Sequence, residues 1–301
     1  MTRVRRRTAI ATMLWVVTAG LFAGTAADPA SAQSLPAQKD RLFAYPNVLK
    51  SEDGGDYRVF DYNEMRDLHR RDEVPQARVQ QRYVSLGVRR NQAEIVARTP
   101  AGDIAHVAVG RARGAKLIVL YVHGRGGHRG QGVDDFRFGG NFNRIKNMVA
   151  AAGGVYLSPD FADFGTRGAS QIAALINVYR ATSPNAPVFV ACGSMGGAMC
   201  WAMARNPSVA PHLGGLLLLG SFPDDGFLTS QAFQRRVPVL LAQGSEDTVV
   251  PVASMEAFYR TIRARAPGYP VKMVRFETGT HGTPIRMTDW RETINWMLRA
   301  R

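Results

Sequence analysis

The stretch ACGSMGGAMC, Ala191 to Cys200, follows the β-rich run PVFV and sets Ser194 among small residues. A serine in an open loop needs no glycine on each side. A serine at the tip of a sharp strand-to-helix turn does, because the two backbones crowd around it. The local expectation is a buried strand ending at Cys192, a tight turn at Ser194, and a helix over MGGAMCWAMARN.

The flanking sequence alternates in the same manner. AEIVARTP and DIAHVAVG read as a hairpin around Gly102, and KLIVLYVH is a continuous apolar run suited to a strand buried on both faces. GVYLSPD, PVFVAC, LGGLLLLGS, VPVLLAQGS and PVKMVRFET read as further strands. Helical patterns lie between or after them, in NFNRIKNMVAAA, SQIAALINVYRA, ASMEAFYRTIRAR and DWRETINWML. Strands alternating with helices imply an α/β fold with a mainly parallel central sheet and helices on both faces. The connection between LLLLGS and VPVLLAQ, about 16 residues, is short, so no large lid domain is expected there. Residues 33–81 are polar, with a helical pattern in DYNEMRDLHRR, and read as an N-terminal extension packed on a main body spanning 82–301.

Residues 1–32 have the form of a signal peptide. MTRVRRR is a basic leader, TAIATMLWVVTAGLFAG is an apolar stretch, and Ala30-Ser31-Ala32 is an A-x-A cleavage site before Gln33. The expectation is an exported protein, periplasmic or extracellular, with Arg5-Arg6-Arg7 leaving the choice of export route open. The whole chain has 38 Lys and Arg against 24 Asp and Glu, a net charge of +14; loss of four arginines and one aspartate with residues 1–32 leaves +11. Such a balance suits an anionic envelope surface. Nucleic acid is not expected, because no basic stripe is interleaved with aromatics. No obligate protein partner is evident. Cys192 and Cys200 are the only cysteines. Export would permit a bridge, but a strand end and a helix position two turns away are hard to bring within about 7 Å, so two buried free thiols are expected.

Ser194 has partners in plausible order. Asp247 lies just past a strand in GSEDTVVP, and His281 just past the last strand in FETGTHGTP, 53 and then 34 residues further on. In an open α/β sheet, residues at the carboxyl ends of strands converge on one edge. A serine hydroxyl is a weak nucleophile; a histidine can take its proton, and a carboxylate can hold the imidazole tautomer. Glu246 is the nearest rival for the acid, with Asp224 and Asp225 as a second, although SFPDDG also reads as a plain turn. The glycine-rich loop YVHGRGGHRG follows an early strand and can bring a backbone amide, that of Arg125, near the amide of Met195 as an oxyanion hole. His123 reads as a residue that packs this loop. Gly124, Arg129 and Arg167 fall on the same edge and are candidates for contacting substrate, with Arg125 added where an anionic group is concerned. No metal spacing or phosphate-binding loop occurs, and no cofactor is implied.

With these motifs in view, residues 82–301 resemble the alpha/beta-hydrolase fold proteins. The elbow pattern G-x-S-x-G appears as C-G-S-M-G, with Cys192 in place of the first glycine, and the G-x-x-D-x-x-V-P acid loop is complete. The resemblance implies a Ser194-Asp247-His281 triad and a serine hydrolase, carboxylesterase-like, that cleaves acyl bonds through an acyl-enzyme. A peptidase or lipase of the same fold, or a non-catalytic envelope-binding protein that keeps the fold, are the alternatives.

Overall fold

A computed structural model describes residues 34–73 and 77–301. The expected signal peptide, with its cleavage site, lies outside the described residues. Gln33–Arg301 forms one compact unit.

Ten strands build the central sheet: β1 Val48–Glu52, β2 Tyr57–Phe60, β3 Gln92–Thr99, β4 Gly102–Gly110, β5 Ile118–Val122, β6 Val155–Pro159, β7 Val188–Gly193, β8 Leu213–Leu219, β9 Val239–Gly244 and β10 Val271–Phe276. Their spatial order is β1-β2-β10-β9-β8-β7-β5-β6-β4-β3. Every pairing from β2 across to β6 is parallel, while β1 and the β3–β4 hairpin run antiparallel at the two edges. The hairpin turns at Thr99 opposite Gly102, as its sequence suggests.

The long helices are α1 Asn141–Ala151, α2 Thr166–Ala181, α3 Gly197–Arg205, α4 Val252–Arg265 and α5 Trp290–Arg299. They cover both faces of the sheet, and the period-2 alternation of each strand decides which side chain meets which layer. In β7, Val188, Val190 and Cys192 pack with Ile172 and Ile176 of α2 and Met199 of α3, whereas Phe189 and Ala191 join Ile145 of α1 and Ile294 of α5 on the opposite face. A strand apolar at every position is the sequence signature of this double burial.

Residues 33–81 do more than pack on the main body. β2 hydrogen-bonds in parallel along β10, and β1 closes that edge, so this segment supplies two strands of the sheet. The helical pattern of DYNEMRDLHRR is realised as one short turn, Met65–His69. Between β8 and β9 the chain makes only short helical turns, with no lid domain.

Candidate active site

β7 ends at Gly193, and the chain turns through Ser194–Gly196 directly into α3. Ser194 is held at φ 52°, the left-handed region, which costs a non-glycine residue about 1–2 kcal/mol. Surrounding close approaches over-determine that conformation. A Cβ on Gly196 would lie 2.6 Å from the Val122 carbonyl oxygen, and one on Gly197 would lie 1.8 Å from the Ser221 hydroxyl oxygen. Ser221 is itself buried and donates to the Ser194 carbonyl at 2.8 Å.

The cysteines are bridged rather than free. Cys192 and Cys200 form a disulfide, with Cα atoms 6.2 Å apart and both residues fully buried. The expectation of two thiols assumed that the helix begins at Met195. Three residues are spent in the tight turn instead, so Cys200 sits one turn into α3 and faces back onto β7. The bridge therefore straddles Ser194.

Three side chains from three strand ends meet at this turn. The Ser194 hydroxyl donates to His281 Nε2 at 2.8 Å, and His281 Nδ1 donates to Asp247 Oδ2 at 2.8 Å. Asp247 is buried and receives further donors: the amides of Val249 and Val250 reach Oδ1 at 2.8 and 2.9 Å, and Gln243 Nε2 reaches Oδ2 at 2.7 Å. All four contacts treat the carboxyl group as an acceptor, which fixes the proton on His281 Nδ1 and leaves Nε2 to accept from serine. The rival acids stand elsewhere. Glu246 is exposed, and Asp224 caps the following turn through the Gly226 amide and pairs with Arg205 at 2.9 Å. Gln243 was not singled out from the sequence. Its one signal is a polar residue near the end of the otherwise aliphatic run VLLAQ, in a strand buried along its length.

The loop after β5 lies against the serine. A Cβ on Gly124 would come within 2.9 Å of Ser194 Cβ, so only glycine lets the loop this close. The amides of Arg125 and Met195 meet no acceptor among the described residues. His123 packs the loop: it stacks on Phe161 at 4.6 Å and donates through Nδ1 to the Gly124 carbonyl. Burial, partly opposed by that hydrogen bond, pulls its pKa below the ordinary 6.5.

The arginines separate into engaged and unengaged groups. Arg129 is not free to meet a substrate. Its backbone amide and guanidinium both bind Asp160, at 2.6 Å each, and the guanidinium also reaches Glu94 at 3.1 Å, which ties the loop to the end of β6. Arg167 is exposed in the first turn of α2 and does not line the adjoining cavity. Arg125 does. This cavity, about 500 Å³, opens beside the trio between Arg125–His128, Phe138, Thr280 and Arg286, with Tyr62, Glu64, Leu68 and Asp72 of the N-terminal segment as its far wall. Thr280 and Gly282 flank His281, so the cavity adjoins the trio, although none of Ser194, Asp247 and His281 lines it. Among the described residues no cluster of His, Cys, Asp and Glu could hold a metal ion, and no helix is long and apolar enough to cross a membrane.

No family model and no curated protein matches this chain. Solved structures do. An Agrobacterium tumefaciens protein of unknown function, provisionally classed as an alpha/beta hydrolase, is similar at 15% identity with a TM-score of 0.52, over 69% of this chain and 92% of that one. A thermostable esterase is similar at 15% identity and 0.56, over 70% and 64%. A lid-less serine hydrolase from Xanthomonas campestris is similar at 16% identity and 0.50, over 69% and 94%.

Proposed function

Starting from a chain that has the alpha/beta-hydrolase fold, we propose that it is a serine hydrolase that cleaves carboxylic ester bonds through an acyl-enzyme. The observation that carries this reading is the continuous relay from Ser194 through His281 to Asp247, each link 2.8 Å long. Ser194 attacks the ester carbonyl while His281 Nε2 takes its proton. Asp247 holds the ring in position and stabilises the imidazolium. The alkoxide is expelled with the proton returned from His281, and a water then repeats the sequence to release the acid. The amides of Met195 and Arg125, both without acceptors among the described residues, are the donors assigned to the developing oxyanion. The relay has a defined chemical use that the envelope-binding alternative would leave idle.

The test is covalent. A fluorophosphonate should label purified protein once, on Ser194, and Ser194→Ala should lose both the label and short-chain ester turnover by roughly four orders of magnitude or more. A folded protein that stays unlabelled overturns the reading.

A further inference from the structure

The cavity beside the triad is lined by three arginines and three carboxylates, which are unevenly paired. Of the arginines that line it, Arg286 is consumed: it bridges Asp72 at 2.7 Å and donates to the Asp67 and Leu68 carbonyls. Arg125 and Arg137 meet no carboxylate among the described residues. Of the three lining carboxylates only Asp72 meets an arginine. Asp72 holds Arg286, Asp134 Oδ1 accepts the amides of Phe136 and Arg137 at 2.8 and 2.9 Å, and Glu64 faces His69 at 3.6 Å. What remains without a carboxylate among the described residues is two exposed guanidiniums, one of them on the loop that touches the serine. Tyr62, Leu68 and Phe138 supply apolar surface between. A volume of about 500 Å³ is in the range that encloses a small organic ligand.

Resting on the serine hydrolase reading, we propose that this cavity receives the half of the ester remote from the scissile bond, and that it selects an anionic end group, a carboxylate or a phosphate, through Arg125 and Arg137. A guanidinium fork matches two oxygens of either group, and a cavity wall raises the strength of that pairing over its value in bulk water. This replaces the sequence-based set: Arg129 is occupied and Arg167 is outside the cavity, while Arg137 comes from a loop that no motif marks.

The experiment compares three 4-nitrophenyl esters of equal chain length, ending in a methyl group, a carboxylate or a phosphate. The wild type should favour one or both anionic esters in kcat/KM by on the order of tenfold, mostly in KM, with the preference shrinking as salt is raised. In Arg137→Ala the ratio of anionic to neutral kcat/KM should fall towards one, and which anionic ester loses more identifies the end group. Equal treatment of all three esters by the wild type, or a loss in Arg137→Ala shared equally among them, overturns the proposal. A second arm needs no turnover. Adipate and hexyl phosphate are titrated by calorimetry into Ser194→Ala with and without Arg137→Ala; binding of at least one, weakened by the arginine change, is expected. A labelled serine with no anion binding overturns the cavity assignment alone. Anion binding with an unlabelled serine overturns the hydrolase reading and leaves the cavity assignment standing.

Discussion

Gln243 shows how one side chain can matter more for geometry than for stability. Its amide nitrogen donates both to Asp247 Oδ2 and to the Val250 carbonyl, each at 2.7 Å, so it pins the acid and the loop carrying it. Its amide oxygen is buried without a donor. Replacement by leucine removes that orphaned oxygen, worth about 1–3 kcal/mol, while stranding the Val250 carbonyl at a similar cost. The two terms oppose each other, and Gln243→Leu should unfold within a few degrees of the wild type. Activity has no such offset, because Asp247 keeps its charge but loses one of the donors that aim it at His281. We expect kcat to drop about tenfold with KM little changed. A variant with wild-type kcat would show that the amides of Val249 and Val250 suffice to hold the acid.

At the scale of the element, the turn from β7 into α3 is braced at three points: the Gly124 approach, the Ser221 hydrogen bond and the disulfide. Gly124→Ala would drive a methyl group to 2.9 Å from Ser194 Cβ and 3.0 Å from the Gly193 carbonyl, neither of which is the end of a flexible chain. Loop and serine must separate, so the proposed ester turnover and fluorophosphonate labelling should both fall by about a hundredfold while the far-ultraviolet dichroism stays unchanged. The disulfide closes a loop of eight residues' separation, which corresponds to about 2–3 kcal/mol in the chain-entropy account. Cys192→Ala/Cys200→Ala should lower the Tm by several degrees, since about 1 kcal/mol moves a domain of this size by roughly 2–4 °C. It should also slow labelling of Ser194 even well below that Tm, because the bridge is part of what holds Ser194 at positive φ. Labelling at the wild-type rate would assign the bridge to stability alone.

Across the whole molecule, stability depends on rings that fold in their neutral form. His106 is buried, donates through Nδ1 to the Ile104 carbonyl and accepts the Tyr179 hydroxyl at Nε2, 2.7 Å away. Burial pulls its pKa below 6.5, with the Ile104 hydrogen bond opposing. Above pH 6.5 the ring is neutral folded or unfolded, and this stability is present in full. As pH falls below 6.5 the unfolded chain takes up a proton that the folded chain refuses, and stability is lost until the folded ring also titrates. His123 shifts in the same direction. The Tm should therefore decline between pH 7 and 5, and His106→Leu/Tyr179→Phe should flatten that decline. An identical slope in the variant would place the proton uptake elsewhere.

The same scale shows what the sequence made legible. The strands of the parallel core, the turn at Ser194 and the trio of side chains at strand ends were readable, because each is written in local periodicity and short motifs. β1 and β2 were not, since a short polar-flanked strand such as YRVF declares itself only through its partner β10, more than two hundred residues away. Gln243, the Cys192–Cys200 bridge and the Arg129–Asp160 pair were hidden for a related reason. Each depends on where two backbones come to rest after the turn between them is built, and composition carries no trace of that.

The bridge beneath Ser194 also bears on how the protein is made. Glutathione keeps thiols reduced in the cytosol of ordinary expression hosts, whereas oxidising compartments let disulfides form. Material purified from the two sources can be two covalent species of one sequence, differing by the two thiol hydrogens and by the brace under Ser194. An inactive batch would then raise a question about its production history before any question about its substrate. Intact mass on the unreduced protein answers that question first.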